Sequence, residues 1–110
     1  MVKVMLLLYR RPGTSPDEFR RYWHEQHRPL LERLPGLRRL VLNDVLPSPD
    51  GAPAVCDGIA EDWFDSSAVM QAAFASPEGQ AVAAAAAFLD LARLQILVVA
   101  EEEVPLPVAG

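Results

Sequence analysis

Cysteine is almost absent from this chain. Cys56 stands alone among 110 residues, so no internal disulfide can form, and a reducing compartment, the cytoplasm, is the expected setting. Histidine is nearly as scarce, with only His24 and His27. They lie three apart with no third ligand at a revealing spacing, and there is no HExxH, no paired Cys/His pattern, no GxGxxG and no P-loop. No metal and no cofactor are therefore expected. Positive charge is short as well: 10 Lys and Arg face 15 Asp and Glu, for a net charge of −5. A nucleic-acid partner, which needs a basic face, is excluded on that ground. Long hydrophobic runs are missing too. The apolar stretch at residues 2–9 is far too short to span a bilayer. It lacks a small-residue cleavage site, so it is not read as a signal peptide, and no membrane role is expected.

What remains is a chain 51% apolar and 23% charged, the composition of a single globular domain. Residues 2–9 read as a buried strand, broken by Arg10-Arg11-Pro12-Gly13. Ser15, Pro16 and Glu18 then form a helix start, with a capping residue, a proline at the first helical position and a capping-box glutamate. Phe19, Trp23, Gln26, His27, Leu30 and Leu34 recur at helical spacing, Pro29 tightens or kinks the helix, and Pro35-Gly36 stops it. A second strand is expected over 37–45, a Pro-rich loop over 47–53 and a third strand over 54–64. Asp65-Ser66 caps a helix to about residue 75, and Ser76-Pro77-Glu78 opens an alanine-rich helix to about 89. The fourth strand is expected over 93–101, and 102–110 reads as an extended tail beyond a domain of residues 1–101. This βαββαβ order predicts an α+β, ferredoxin-like sandwich, a four-stranded antiparallel sheet with helices on one face.

Such a sheet leaves one face to water, and its strands should then alternate apolar and polar. They do not. Val4, Leu6 and Leu8 alternate with Met5, Leu7 and Tyr9, and Leu94, Ile96 and Val98 with Leu97 and Val99. Each Leu- or Val-sized side chain gains about 1.5–3 kcal/mol on burial. A homodimer with two sheets face to face is the expected solution, and any polar group left among the apolar ones would line a small-molecule cavity.

Few residues in this pattern carry chemistry. His27 titrates near neutrality and lies at the flank of the apolar stripe. It is either an acid/base group or a structural histidine bonded to backbone. His24 falls further round, toward solvent. Asp57, Glu61 and Trp63 share one face of the third strand. The two carboxylates either crowd each other into a raised pKa, or are a turn residue and the partner of Arg39 or Arg93. Asp62 belongs to the other face. Tyr9 and Asn43 end their strands and can donate to a ligand oxygen. Cys56 has no activating neighbour, and Ser15 and Ser66 are caps.

Three segments together carry a resemblance: Phe19-x-x-Tyr22-Trp23-x-x-x-His27-x-Pro29-Leu30, then Leu34-Pro35-Gly36-Leu37, then Asp57-Gly58-Ile59-Ala60-Glu61-x-Trp63-Phe64. Through them the chain resembles the EthD family of dimeric α+β barrel proteins, over about residues 2–100. The resemblance implies a cavity between the first helix and the sheet with His27 facing it. It also makes Trp23, Asn43, Asp57, Glu61 and Trp63 pocket candidates. Related barrels include cofactor-free isomerases, cyclases and anthrone-type monooxygenases. The expectation is a small homodimeric enzyme acting on an apolar carbonyl or phenolic compound. His27 would be the proton carrier, Asp57 or Glu61 its partner, and Tyr9, Trp23, Asn43 and Trp63 the binding residues. A non-catalytic protein that holds a hydrophobic metabolite or assists an oxygenase pathway is the alternative. The arginine-rich 37–40 and the near-pure alanine of 81–87 depart from the family pattern.

Overall fold

The apolar run at the start forms β1 (Val2–Leu8), the strand around which the rest of the protein is arranged. In the computed structural model, which describes residues 1–108, β1 pairs antiparallel with two neighbours. The sheet order is β2 (Arg39–Asp44), β3 (Gly58–Phe64), β1, β4 (Gln95–Val99), with every pairing antiparallel. The register sets the faces. Lys3, Met5 and Leu7 lie opposite Trp63, Glu61 and Ile59 on the open face, while Val4, Leu6 and Leu8 lie opposite Asp62, Ala60 and Gly58 on the side that the helices cover. Strand-former content is only the first condition. The outer strands are shorter than their apolar runs suggest, because Leu37 and Arg93 fall in the connections that deliver the chain to the sheet.

The first helix opens as its cap predicts. The Ser15 hydroxyl accepts from the Glu18 N–H, and α1 runs Pro16–Tyr22. It then changes pitch. Trp23–His27 is a π-helical turn, in which the Arg28 N–H reaches back to the Trp23 carbonyl, before α2 resumes over Arg28–Leu31. Pro29 accounts for the change. It has no N–H to give the carbonyl four residues earlier, and its ring would strike that group in a regular α-helix, so the wider turn relieves both problems. The π turn carries two buried side chains, Trp23 and His27. Gly36, at φ 78°, ends the helical region where a Cβ would sit 2.5 Å from Val69.

Ser66 and Ser76 cap α3 (Ser67–Ala75) and α4 (Pro77–Ala84), each hydroxyl accepting a backbone N–H. A short 3-10 turn, Ala86–Phe88, follows. Two apolar clusters hold the layers together. Leu8, Phe19, Trp23, Ala60 and Leu89 form one; Val4, Phe64 and Ala73 form the other. After β4 the chain has no regular structure through Val108. The last two residues of the expected tail, 109 and 110, lie outside the described residues. No helix among the described residues is long and apolar enough to cross a membrane.

Candidate functional site

Between the sheet and the helices lies a cavity of about 420 Å³. Leu6, Leu8 and Ala60 supply its floor, Trp23 and His27 of the π turn one wall, and Val82, Ala83 and Ala86 the opposite wall. The alanine-rich stretch explains why space is left. Methyl-sized side chains hold the helix near the sheet without filling the gap, whereas larger ones would pack it to interior density. The walls are almost wholly apolar, and two titratable groups stand in them: His27, and Asp62 on β3.

The geometry of His27 settles its tautomer. Nε2 lies 3.0 Å from the Val82 carbonyl, which can only accept, so Nε2 carries the proton and Nδ1 keeps its lone pair. Nδ1 is buried, and no described residue hydrogen-bonds to it. Burial lowers the pKa of His27 below the usual histidine value, and the Val82 carbonyl, which stabilises the cationic form, offsets part of that. At neutral pH the ring is a neutral base.

Asp62 is more unusual. It is 1% exposed, it sits in register between Val4 and Leu40, and neither carboxyl oxygen has a hydrogen-bond partner among the described residues. An unpaired carboxylate in such surroundings is costly, so the group keeps its proton. Desolvation pushes its pKa up to about 7. The cavity therefore holds a buried base and a buried acid, both largely uncharged between the lowered His27 pKa and about pH 7.

The other expected site residues are distributed differently. Trp23 lines this cavity, fully buried, with its indole close over Gly58, where a Cβ would lie 2.5 Å from the ring. Glu61, Asn43 and Trp63 are on the open face. Glu61 accepts from Lys3 Nζ and from the Asn43 amide, each at 3.0 Å. These two partners hold its carboxyl below the usual range, Asn43 contributing most. It neither crowds another carboxylate into a raised pKa nor pairs with Arg39 or Arg93. Trp63 lies under the Arg39 guanidinium and donates its indole N–H to Glu101 at 3.0 Å. Asp57 precedes β3 and is tied to Arg10, accepting its backbone N–H at 2.8 Å and pairing with its guanidinium at 3.3 Å. Tyr9 is buried beneath the Arg93 guanidinium, 4.2 Å from its ring centre. Asp57 and Tyr9 thus line a separate polar recess. His24 is held by Asp44 at 2.9 Å at the far side of the helix. The structure brings His27 and Trp23 together and separates them from Asp57, Glu61, Asn43, Trp63 and Tyr9. The carboxyl that shares their cavity is Asp62, assigned on sequence only to the less interesting face. One signal pointed to it: Asp62 alternates with Ala60 and Phe64, so it lies on the apolar side of β3.

A family model for the EthD domain matches residues 11–92. An uncharacterized 11.0 kDa protein of the thcB–thcC intergenic region of Rhodococcus erythropolis is 35% identical over 78 residues, covering 71% of this chain and 74% of that protein. Among solved structures, an ethyl tert-butyl ether D family protein of Bacillus halodurans superposes with a TM-score of 0.77 at 24% identity, over 93% of this chain and all of the other. The cofactor-independent oxygenase SnoaB of Streptomyces nogalater superposes with a TM-score of 0.64 at 17% identity, over 94% of each chain. At these identities the two structures show a shared fold.

Proposed function

The chain belongs to the EthD family, and from that premise we propose that it is a small-molecule enzyme that moves a proton within an apolar cavity and needs no cofactor. The observation that carries the proposal is the pairing, in the walls of one apolar enclosure, of an imidazole whose buried Nδ1 has no hydrogen-bond partner among the described residues with a carboxyl whose proton is retained. A base and an acid that are both neutral at the working pH suit proton abstraction at one atom and donation at another, as in isomerisation, cyclisation or dehydration of a carbonyl compound. The substrate class follows from the walls. No cationic side chain among the described residues lines the cavity, so an uncharged, largely apolar compound bearing a carbonyl or phenolic oxygen fits, and a carboxylate does not. Nδ1 of His27 takes the proton, and the imidazolium so formed keeps its hydrogen bond to Val82. The Asp62 hydroxyl donates to the substrate oxygen as negative charge develops there.

An oxygenase reading shares the first step. Removing a proton from an electron-rich phenol makes an anion that can itself reduce dioxygen, and the fold shared with SnoaB favours keeping this chemistry among the assays. The test is His27→Ala and Asp62→Asn on a panel of apolar enones, β-dicarbonyls and phenols, with turnover and affinity measured together. Loss of turnover with retained affinity is expected. Equal loss of both, or no turnover by the unaltered protein, would make it a carrier of hydrophobic metabolites instead.

A homodimer belongs to the same proposal. Met5, Leu7, Val41 and Ile59 on the open face are only half-buried, and Leu97 is exposed beside them. Two copies joined through these faces would cover them. Sedimentation at micromolar concentration is expected to show a dimer, and a stable monomer would end this part of the reading.

A further inference from the structure

β4 is an outer strand of the sheet, so one edge of its backbone has no neighbouring strand among the described residues. Its side chains are bare as well. On the helix side Ile96 is 59% exposed and Val98 53%. Ile96 and Leu91 also line the cavity, so the enclosure meets solvent here through a rim of uncovered apolar groups.

The chain carries a second bare apolar surface. Val104, Leu106 and Val108 are 65%, 82% and 95% exposed, and Pro105 and Pro107 alternate with them. In an extended chain, every second residue sends its side chain to one face and its N–H to one edge. The three aliphatic residues therefore share a face and an edge. The prolines, which have no N–H, fall on the other edge. A segment so patterned can pair on one side only, as a strand that joins a sheet and ends it.

We propose that residues 104–108 of a second copy add to the free edge of β4 and close the mouth of the cavity, so that each site is completed by the other protomer. This rests on the dimer of the preceding section and adds an exchange of tails to it. Glu101 argues against the same chain doing this for itself. Its carboxylate binds Lys3 Nζ at 2.7 Å and the Trp63 indole at 3.0 Å, which fixes the chain on the open face just past the end of β4. Returning along β4 would then require a tight reversal at Glu102-Glu103. No glycine, asparagine or proline is there to adopt one. A second copy supplies the segment without any reversal.

Two chains test this, both with Cys56→Ala, one with Ile96→Cys and the other with Leu106→Cys. They are co-expressed, treated with a short bis-maleimide and run on a denaturing gel. A covalent heterodimer is expected. Its absence from a sample that sediments as a dimer would overturn the exchange and leave the dimer standing; a sample that sediments as a monomer would overturn both. Placing both cysteines in one chain separates the alternatives further, since crosslinking within the monomer would assign the mouth to the chain's own tail and refute the proposal. Leu106→Asp alters an exposed residue and does not threaten folding. It is expected to weaken binding of 1-naphthol, followed by its fluorescence, by about tenfold. Unchanged binding would refute the closing role.

Discussion

Replacing Asp62 by Asn gives a stability change whose size and pH dependence both follow from the buried carboxyl. The folded protein holds the Asp62 proton up to about pH 7, against 3.8 for an unperturbed aspartate. Between those values the folded chain keeps a proton that the unfolded chain has released, so stability falls as pH rises through this window and levels off above it. Each pKa unit is worth about 1.4 kcal/mol, so the full titration spans about 4 kcal/mol. Between about pH 4.5 and 8, where the measurement is practical, about 3 kcal/mol of it is accessible. Asparagine cannot titrate and escapes the penalty. His27 works in the opposite sense: its lowered pKa makes stability rise with pH from its folded value up to the ordinary histidine value. That contribution is common to both proteins and cancels in their difference. The assay is urea denaturation of both at one protomer concentration across that pH range. The Asn variant should gain about 3 kcal/mol on the unaltered protein from the acid to the alkaline end. A difference that stays flat within about 0.5 kcal/mol would show that Asp62 ionises normally, and the acid assigned to the cavity would be gone.

Other outcomes follow from the same geometry. The pH profile of turnover should be a bell: the acid limb belongs to His27 and lies below the ordinary histidine pKa, the alkaline limb falls near pH 7 as Asp62 ionises, and the residual turnover left in Asp62→Asn should lack the alkaline limb. Glu61→Gln and Asp57→Asn should leave turnover within about threefold of the unaltered protein, an effect of under about 1 kcal/mol on the barrier; a hundredfold loss would return catalysis to the open face or the polar recess. Gly58→Ala should destabilise the protein by about 1–3 kcal/mol, since the new methyl would collide with the Trp23 ring, and thermal unfolding would show it. Ala86→Leu should occupy cavity space and abolish 1-naphthol binding with little loss of melting temperature.

The element order was readable because each boundary carries its own chemistry. Ser15, Ser66 and Ser76 are caps whose hydroxyls accept helix N–H groups, and Pro35-Gly36 stops a helix in a conformation that glycine tolerates. The ferredoxin-like sheet follows from that order. The π turn was less legible. Pro29 announces a disturbance in the helix, but whether it kinks the axis or widens one turn depends on how Trp23 and His27 pack beneath it. Asp62 was passed over in the sequence for a definite reason. Alternation along β3 separates Glu61 from Asp62 and groups Asp62 with Ala60 and Phe64, but Ile59 and Trp63 make the other face apolar as well, so the strand alone is a weak guide to which face the helices will cover. That is decided by pairing with β1, where Val4 lies opposite Asp62 and Lys3 opposite Trp63. Glu61 drew attention as a charged group among apolar neighbours, and its partner Lys3 is fifty-eight positions away in the chain.

Glu61 and Asp62 show how far a single strand can separate two like groups. They are consecutive carboxylic acids, and a shift of one residue in pairing would exchange their positions. On the open face, Glu61 receives an amide and an ammonium and is held ionised below its usual range. On the covered face, Asp62 receives no hydrogen bond from the described residues and is held neutral to about pH 7. The first suits a structural link, since its oxygens are already taken up by Lys3 and Asn43. The second retains a proton that no described residue accepts, and since both its oxygens are buried, a ligand oxygen meets it only when the side chain turns toward the cavity. That unmet hydrogen-bonding capacity is a cost to the empty protein, and a bound substrate would relieve it. Ligand affinity should therefore weaken as Asp62 ionises above pH 7, while binding of the same ligand to the Asn variant stays level across that range. An affinity for 1-naphthol that rises above pH 7 would mean that the carboxyl does not meet the ligand.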